Sequence, residues 1–332
     1  MGKKSNFSGL SRFVQEAFGD GSKNEGPPTS ATPNKPITHP LIDVDERRPA
    51  KKRKIELLGA GWETYDASGL VPHYKEPKEV PDHLQKYFSQ RKRYFSLYDE
   101  GCLLDEEGWY SVTPERIANQ IAERCRCDTI LDAFCGVGGN AIAFAKTCER
   151  VIALDTSPVR LALARHNAVI YGVADRIEFI LADYISFAQA HLSRSKNVRT
   201  IDVVFLSPPW GGPSYLSSLP EQPIGQEATS GDVTPIDGGS HPEYSLSNIK
   251  PIHGAQLFQL SRDITCNIAY FLPRNTKLEE ISALLAHPAK SENASDVNPS
   301  QMVEVEEEWM GSKLKALTCY FGGLVNGQEH LF

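Results

Sequence analysis

A run of four residues in the middle of the chain, Ser207 to Trp210, has side chains suited to holding a planar amine. Two consecutive prolines fix the backbone and cannot continue a central strand, so the run predicts a rigid turn at a strand end. The hydroxyl of Ser207 and the carbonyl of Pro208 can accept N–H bonds from an amine, while Trp210 stacks on its ring. Such orientation can supply up to ~7–11 kcal/mol of rate enhancement. A cis-proline turn with a core tryptophan is the alternative interpretation.

A glycine-rich segment earlier in the chain, Asp132 to Asn140, is typical of a strand-to-helix turn that lets a ligand approach the backbone closely. Gly136 and Gly138 would provide that approach. Asp132 precedes the turn, where its carboxylate can meet a cationic or amino group of the ligand. A tight turn with only a structural role is the alternative.

Two further acids follow later predicted strands. Asp155 suits the two hydroxyls of a ribose, and Asp183 can accept from an adenine amino group. Each acid alone could be a helix cap. NAD would use a similar turn, but the Gly-x-Gly-Gly spacing and Asp132 argue against it. Together these features resemble class I methyltransferases, whose cofactor S-adenosylmethionine carries an amino acid that Asp132 can receive.

Alternating strands and amphipathic helices position these residues. The predicted buried strands are Thr129–Phe134, Val151–Asp155, Ile177–Asp183, Asp202–Ser207 and Asn267–Leu272. This alternation predicts an α/β fold with a mostly parallel sheet covered on both faces. Two later segments, 302–309 and 314–321, have no helix between them and predict an antiparallel hairpin. Together, these seven segments predict a Rossmann-like sheet of seven strands.

The chain divides into three predicted regions. Residues 1–55 lack apolar periodicity and predict a disordered tail. This tail ends in a basic run, 47–54, that indicates a nuclear localisation signal or a solvated linker. Residues 56–110 predict a small helical extension, and residues 111–332 a catalytic domain. Within that domain, 213–250 is a long insertion of the kind that is usually functional or disordered.

The composition limits the kinds of partner that the protein is expected to bind. The formal net charge of −7 does not suggest a protein that coats nucleic acid, although it allows recognition of one nucleotide and a few phosphates. No stretch approaches the ~20 apolar residues of a membrane helix. Seven scattered cysteines indicate a reducing compartment, and no Cys/His set completes a zinc site. We therefore expect neither a membrane nor a metal.

Four motifs in order resemble the trimethylguanosine synthase family, which hypermethylates the 7-methylguanosine cap of small nuclear and nucleolar RNAs. They are Trp109 to Glu115, Asp132 to Asn140, Ser207 to Pro213 and Tyr270 to Asn275. The resemblance covers about residues 82–325. It implies a class I fold, S-adenosylmethionine as cofactor, and two successive methylations of guanine N2 after N7 methylation. It also implies a location in the nucleus and nucleolus, with small ribonucleoprotein core proteins as partners.

The resemblance assigns roles by motif. Ser207, Pro208 and Trp210 would be catalytic, with Trp210 stacked on the methylated guanine. The cap would further contact Asn167 and Ser207, with its phosphates on Lys86 and Arg274. The cofactor pocket would be formed by Phe95, Trp109, Thr113, Asp132, Phe134, Gly136, Gly138, Asp155 and Asp183. Arg165 and His166 are interpreted as solvated helix residues.

The physical chemistry agrees with a methylated guanine. N7 methylation makes the base cationic, and a cation stacked on Trp210 gains ~0.5–2 kcal/mol. That charge also acidifies N1–H, whose loss makes N2 more nucleophilic, so a dedicated general base is unnecessary. Two alternatives remain: another Pro-Pro-aromatic enzyme acting on adenine N6 or a protein amide, or a cap-binding module without catalysis.

Overall fold

The computed structural model describes residues 57–58, 61–195, 200–211, 243–286 and 302–325. The predicted tail and most of the predicted insertion lie outside these residues. One seven-stranded sheet forms the centre of the described part, in the order β3-β2-β1-β4-β5-β7-β6. Its strands are β1 (Thr129–Asp132), β2 (Arg150–Asp155), β3 (Ile177–Leu181), β4 (Val203–Leu206), β5 (Ile268–Pro273), β6 (Val303–Met310) and β7 (Lys313–Phe321).

The first five strands are parallel, whereas β7 runs antiparallel to both β5 and β6. Every residue of β1, β4 and β5 is buried, as expected for strands covered by helices on both faces. Strand β6 lies at the edge and is rich in glutamate, which discourages pairing with another chain. The predicted α/β class and the antiparallel end are confirmed.

Short helices surround the sheet on both faces. Those the structure describes are α1 (Gln85–Phe88), α2 (Arg91–Tyr94), α3 (Glu106–Ser111), α4 (Glu115–Arg124), α5 (Gly139–Thr147), α6 (Pro158–Ile170), α7 (Tyr184–Ser193), α8 (Gly254–Arg262) and α9 (Leu278–Ala283). Over the part of the chain that the structure describes, none of them is both long and apolar enough to cross a membrane.

The N-terminal extension packs directly onto the catalytic domain. Its aromatic side chains Phe88, Tyr98 and Trp109 form one buried group with ring centroids 5.5–6.1 Å apart. These rings belong to the same apolar core as residues of β1 and β4, such as Ile130 and Phe205. The extension therefore shares its core with the sheet.

His166 on α6 fastens this extension, and the prediction that it lies on a solvated face is wrong. Its side chain is fully buried. Nδ1 accepts a hydrogen bond from the Ala67 amide (3.2 Å), and Nε2 donates to the Gly101 carbonyl (3.0 Å). Burial lowers the pKa of His166, which keeps the ring neutral in this arrangement. Helical periodicity marked this face as polar, but it could not show that a distant segment covers it.

Arg165, the neighbour of His166, is half-buried rather than solvated. Its guanidinium lies 5.4 Å from the ring centroids of both Tyr65 and Phe179. Cation–π contacts of this kind let an arginine cover aromatic surface while its charge still faces water. Both residues thus help to hold the extension against α6.

Candidate active site

The glycine turn and the Ser207–Trp210 turn lie where the strand order reverses, between β1 and β4. In open α/β sheets, ligands bind at such a switch point, outside the carboxyl ends of the strands. The glycine turn follows β1, and the Ser207–Trp210 turn follows β4. The Ala133 amide donates to the Phe205 carbonyl (3.1 Å), which joins the starts of the two turns.

The glycine turn requires its glycines. Gly136 and Gly138 have φ values of 51° and 91°, in the left-handed region that side chains rarely adopt. A Cβ on Gly138 would also lie 3.0 Å from the Cβ of Ala164 and 3.1 Å from its Cα. Gly138 therefore allows α5 to begin in close contact with α6.

Asp155 ties this turn to the end of β2. One carboxylate oxygen accepts from the Gly136 amide (3.0 Å), and the other accepts from the Ser157 amide (2.7 Å). The cap of α6 is Ser157, whose hydroxyl accepts from Arg160 (3.3 Å), so Asp155 is not itself the cap. Asp155 is half-buried, and its carboxylate thus shapes the turn while part of it faces the outside.

Asp132 is the least satisfied acid at the site. Its side chain is fully buried, and Oδ1 accepts a long hydrogen bond from the Phe134 amide (3.4 Å). Among the described residues, Oδ2 has no hydrogen-bond partner. Burial, with a further contribution from the nearby charge of Asp155, raises the pKa of Asp132 to about 7. A buried carboxylate with an open acceptor fits a ligand that brings a cation, such as the ammonium of S-adenosylmethionine.

Two further members of the predicted cofactor set are more peripheral. Asp183 is exposed and caps α7, accepting from the Ser186 amide (2.9 Å). The cap interpretation therefore holds for one of its oxygens. Hydrogen bonds from Ser186 lower the pKa of Asp183, so it is ionised at neutral pH. Phe134 is half-buried, with its ring 5.8 Å from that of Tyr184.

The Ser207–Trp210 turn is bonded to the glycine turn. The Ser207 hydroxyl donates to the carbonyl of Phe134 (3.3 Å), which leaves its lone pairs as acceptors. Pro208 is buried, whereas Ser207 and Trp210 are half-buried. The amine-accepting turn and the glycine turn thus share a direct hydrogen bond.

Two residues that the sequence analysis did not select support Trp210. The Phe271 ring lies 5.2 Å from that of Trp210 with the planes 33° apart, and the Tyr244 hydroxyl donates to the Trp210 carbonyl (3.3 Å). Phe271 lies within one of the four motifs, and its position there could have marked it as a site residue. Tyr244 lies inside the predicted insertion, where no motif indicated a role for it.

Three predicted cofactor residues present no open surface. Phe95, Trp109 and Thr113 are 2%, 1% and 4% exposed. Thr113 accepts a hydrogen bond from the side chain of Asn140 (3.0 Å) at the start of α5. Their assignment to the cofactor pocket stays a prediction: in the structure Thr113 supports the glycine turn, while Phe95 and Trp109 pack in the core of the extension.

Asn167 was predicted to contact the cap, and this assignment also stays a prediction. Its side chain is fully buried. Oδ1 accepts from the Leu103 amide (2.7 Å), and Nδ2 donates to the carbonyls of Leu103 (2.9 Å) and Val137 (3.0 Å). These bonds use both donors and join the extension to the glycine turn, so Asn167 is a structural link.

The two predicted phosphate ligands are placed differently. Arg274 directly follows β5, the strand that pairs with β4, and its guanidinium donates to the carbonyl of Leu314 (3.3 Å). Lys86 is exposed on α1 in the extension, with its ammonium 4.8 Å from the Tyr87 ring centroid. Their assignment to the cap phosphates stays a prediction.

Comparison with known proteins agrees with this arrangement. The profile of the RNA cap guanine-N2 methyltransferases matches residues 127–219 and 236–324. The trimethylguanosine synthase of Schizosaccharomyces pombe is 39% identical over 209 residues, covering 61% of this chain and 76% of that enzyme. That of Saccharomyces cerevisiae is 34% identical over 206 residues, covering 60% of this chain but only 57% of that enzyme.

Among solved structures, a putative methyltransferase from Porphyromonas gingivalis W83 is similar over 76% of this chain and 55% of its own length. That pair has a TM-score of 0.44 and 10% sequence identity.

Proposed function

The chain belongs to the RNA cap guanine-N2 methyltransferase family, and we propose that it converts the 7-methylguanosine cap to 2,2,7-trimethylguanosine in two methyl transfers. The observation that carries this proposal is the hydrogen bond from Ser207 to the Phe134 carbonyl. It sets a turn suited to an amine directly against a turn suited to S-adenosylmethionine. Proximity of this kind is the main contribution that a methyltransferase makes to its reaction.

The cofactor side follows from the residues around the glycine turn. S-adenosylmethionine supplies an electrophilic methyl group on its sulfonium. We assign Asp132 to its ammonium, because the buried carboxylate keeps an unused acceptor atom. Asp155 would receive the ribose hydroxyls, and the second oxygen of Asp183 the adenine amino group. Phe134 would contact the cofactor from the end of β1, and Gly136 and Gly138 let it approach the backbone.

The acceptor side orients the guanine amine. The Ser207 hydroxyl and the Pro208 carbonyl would accept its two N–H groups, which aims the lone pair of N2 at the methyl group. Trp210, supported by Phe271, would stack on the guanine ring, whose positive charge after N7 methylation strengthens the contact. Arg274 and Lys86 would bind the cap phosphates.

The natural substrates would be capped small nuclear and nucleolar RNAs, and small ribonucleoprotein core proteins would present them. We propose a nuclear enzyme that also enters the nucleolus. Two features support this: the basic run at 47–54 is typical of import signals, and the similar yeast enzymes are named trimethylguanosine synthases. Neither feature distinguishes one RNA class from another.

The test is methylation of a cap dinucleotide. We expect methylation of m7GpppG first to the 2,7-dimethylated and then to the 2,2,7-trimethylated product, identified by mass spectrometry. GpppG is the matched control: it lacks the N7 methyl group and its charge, and it should be a poor acceptor. Equal methylation of both dinucleotides would contradict the proposal and favour a general guanine or adenine amino-methyltransferase.

A further inference from the structure

A continuous basic surface leads away from the candidate cap site, and it is formed by Arg93, Arg116, Lys313, Lys315 and Arg274. We call it the basic track. Arg93 and Arg116 line one groove together with Met310 at the end of β6. Met310 pairs with Lys313 across the hairpin. The next residue, Leu314, accepts the hydrogen bond from Arg274. These contacts connect the groove to Arg274 without a break.

Three acids, Glu243, Glu279 and Glu307, line a groove together with Arg274, but none forms an ion pair with it in the described ranges. Within the described ranges, Arg93, Arg116, Lys313 and Lys315 form no ion pair. Glu115 lies in the same groove, but its carboxylate already binds the Ser96 amide, the Tyr171 hydroxyl and Lys146.

Two other exposed arginines differ in this respect. Arg126, which follows α4, is paired with Glu123 (2.5 Å), and Arg150, at the start of β2, with Glu178 (2.8 Å). The basic track thus keeps its charge available in a chain whose formal net charge is −7.

The charges of the track also lie close enough to affect one another. The pKa of Lys315 is lowered, first by burial and then by the charges of Lys313, Arg93 and Arg274. Clustered cations without acidic partners destabilise a folded protein unless they bind an anion. An extended anion would relieve this repulsion along the whole track.

An exposed aromatic side chain lies on the same hairpin, on the face that carries Leu314 rather than Lys313. Trp309 is 50% exposed at the hairpin and pairs with Leu314, which lies between Lys313 and Lys315. Its indole nitrogen donates to Glu307 (3.0 Å), which restrains the ring. Basic groups that follow a backbone, together with an aromatic face for a base, are the usual means of holding single-stranded nucleic acid.

We propose that the basic track binds the first nucleotides of the transcript that follow the cap, as an extended single strand running from Arg274 across the hairpin toward Arg93 and Arg116. This inference rests on the proposed function, because the cap fixes where the RNA begins. Phosphates would lie on the lysines and arginines, and a base could stack on Trp309. The transcript body would then add affinity that a cap dinucleotide cannot obtain.

The test compares two double variants on two ligands. Lys313→Gln/Lys315→Gln removes two charges from the track, whereas the control Arg126→Gln/Arg150→Gln removes two ion-paired charges that do not belong to it. One ligand is m7GpppG, and the other is the same cap on a single-stranded RNA of about ten nucleotides. Fluorescence anisotropy measures RNA affinity at several salt concentrations, and thermal unfolding checks that both variants are folded.

We expect Lys313→Gln/Lys315→Gln to weaken capped-RNA binding on the order of tenfold at 0.1 M salt, and to reduce the salt slope by about 1.4. Its methylation of m7GpppG should be unchanged. The control should match the parent on both ligands. Unchanged RNA affinity in the track variant, or an equal loss in the control, would overturn the basic track.

Failure of the proposed function would appear differently. In that case the parent protein would not methylate m7GpppG, whatever its affinity for RNA. The anisotropy comparison would still decide on the basic track, because it measures binding and needs no turnover. A folded Trp309→Ala variant provides a separate measurement, with an expected loss of RNA affinity of about fivefold or more and none for m7GpppG.

Discussion

The two turns of the candidate active site are built in different ways. The backbone of the glycine turn after β1 is hydrogen-bonded to polar side chains: the Gly136 amide donates to Asp155, and Asn167 donates to the Val137 carbonyl. The Ser207–Trp210 turn instead rests on aromatic residues, through the ring of Phe271 and the hydroxyl of Tyr244. The glycine turn is therefore set by polar contacts with its backbone, while the other turn presents a half-buried tryptophan supported by aromatic side chains.

This difference explains why one side could be anticipated in more detail. The glycine turn depends on glycines at a fixed spacing, so Gly136, Gly138 and Asp132 were recognisable from a short local pattern. A surface assembled from distant segments leaves no such pattern. If the two turns act separately, substitutions in the glycine turn should change only the affinity for the cofactor. Substitutions in the Ser207–Trp210 turn should change only the affinity for the cap.

The largest effect is expected for Asp132→Asn, which keeps the shape of the side chain and removes its charge. Losing one partner of a buried ion pair costs ~3–5 kcal/mol, so the Kd for S-adenosylmethionine should rise by about 10²–10⁴-fold. Isothermal titration calorimetry measures this, and cap affinity is the control. A folded variant with parental cofactor affinity would contradict the assignment of Asp132.

The same residue predicts a pH dependence. Because the pKa of Asp132 is raised to about 7, the carboxyl is protonated below that pH and must lose its proton to pair with the ammonium. Cofactor affinity in the parent should therefore fall as pH decreases below about 7, by up to tenfold per pH unit, and level off above it. Asp132→Asn should remove this dependence. A flat profile in the parent would show that Asp132 does not titrate on binding.

The next largest effect is expected for Trp210. Stacking on single bases is worth ~1–3 kcal/mol by alanine substitution, so Trp210→Ala should weaken cap binding on the order of ten- to a hundredfold and reduce turnover further. Trp210→Phe should be intermediate, because phenylalanine keeps a ring with a weaker quadrupole. Affinity for S-adenosylmethionine should change little. A comparable loss of cofactor affinity would contradict the hypothesis that the two turns bind different ligands.

The smallest effect on ligand binding is expected for Asn167. In Asn167→Ala, buried groups of Leu103 and Val137 lose their partner, which costs ~1–3 kcal/mol for a group left unsatisfied. Urea denaturation should show this loss of stability, whereas the intrinsic affinity of the folded protein for m7GpppG should remain near that of the parent. Unchanged stability with weaker cap binding would restore Asn167 as a cap ligand.

The sheet was predictable because its strands are short apolar runs and because no helix separates the last two. The roles of Asn167 and His166 were not, because their hydrogen bonds span 64 and 99 residues of sequence. A polar side chain on an amphipathic helix has the same local pattern whether water or another segment covers it. The motifs suggested that Phe95, Trp109 and Thr113 lie near the site, but only the packed structure shows that their side chains are buried.

The double attachment of Asn167 limits how the chain can be divided. A fragment beginning after residue 110 would keep α6 but lose Leu103 and Gly101, and the side chains of Asn167 and His166 would lose their hydrogen-bond partners in the extension. Asn167 would still donate to the Val137 carbonyl, but its side chain would no longer be fixed by its hydrogen bonds to Leu103. The extension is therefore part of the autonomous folding unit, and proteolytic cleavage that released it would expose the apolar face of α6 and favour aggregation.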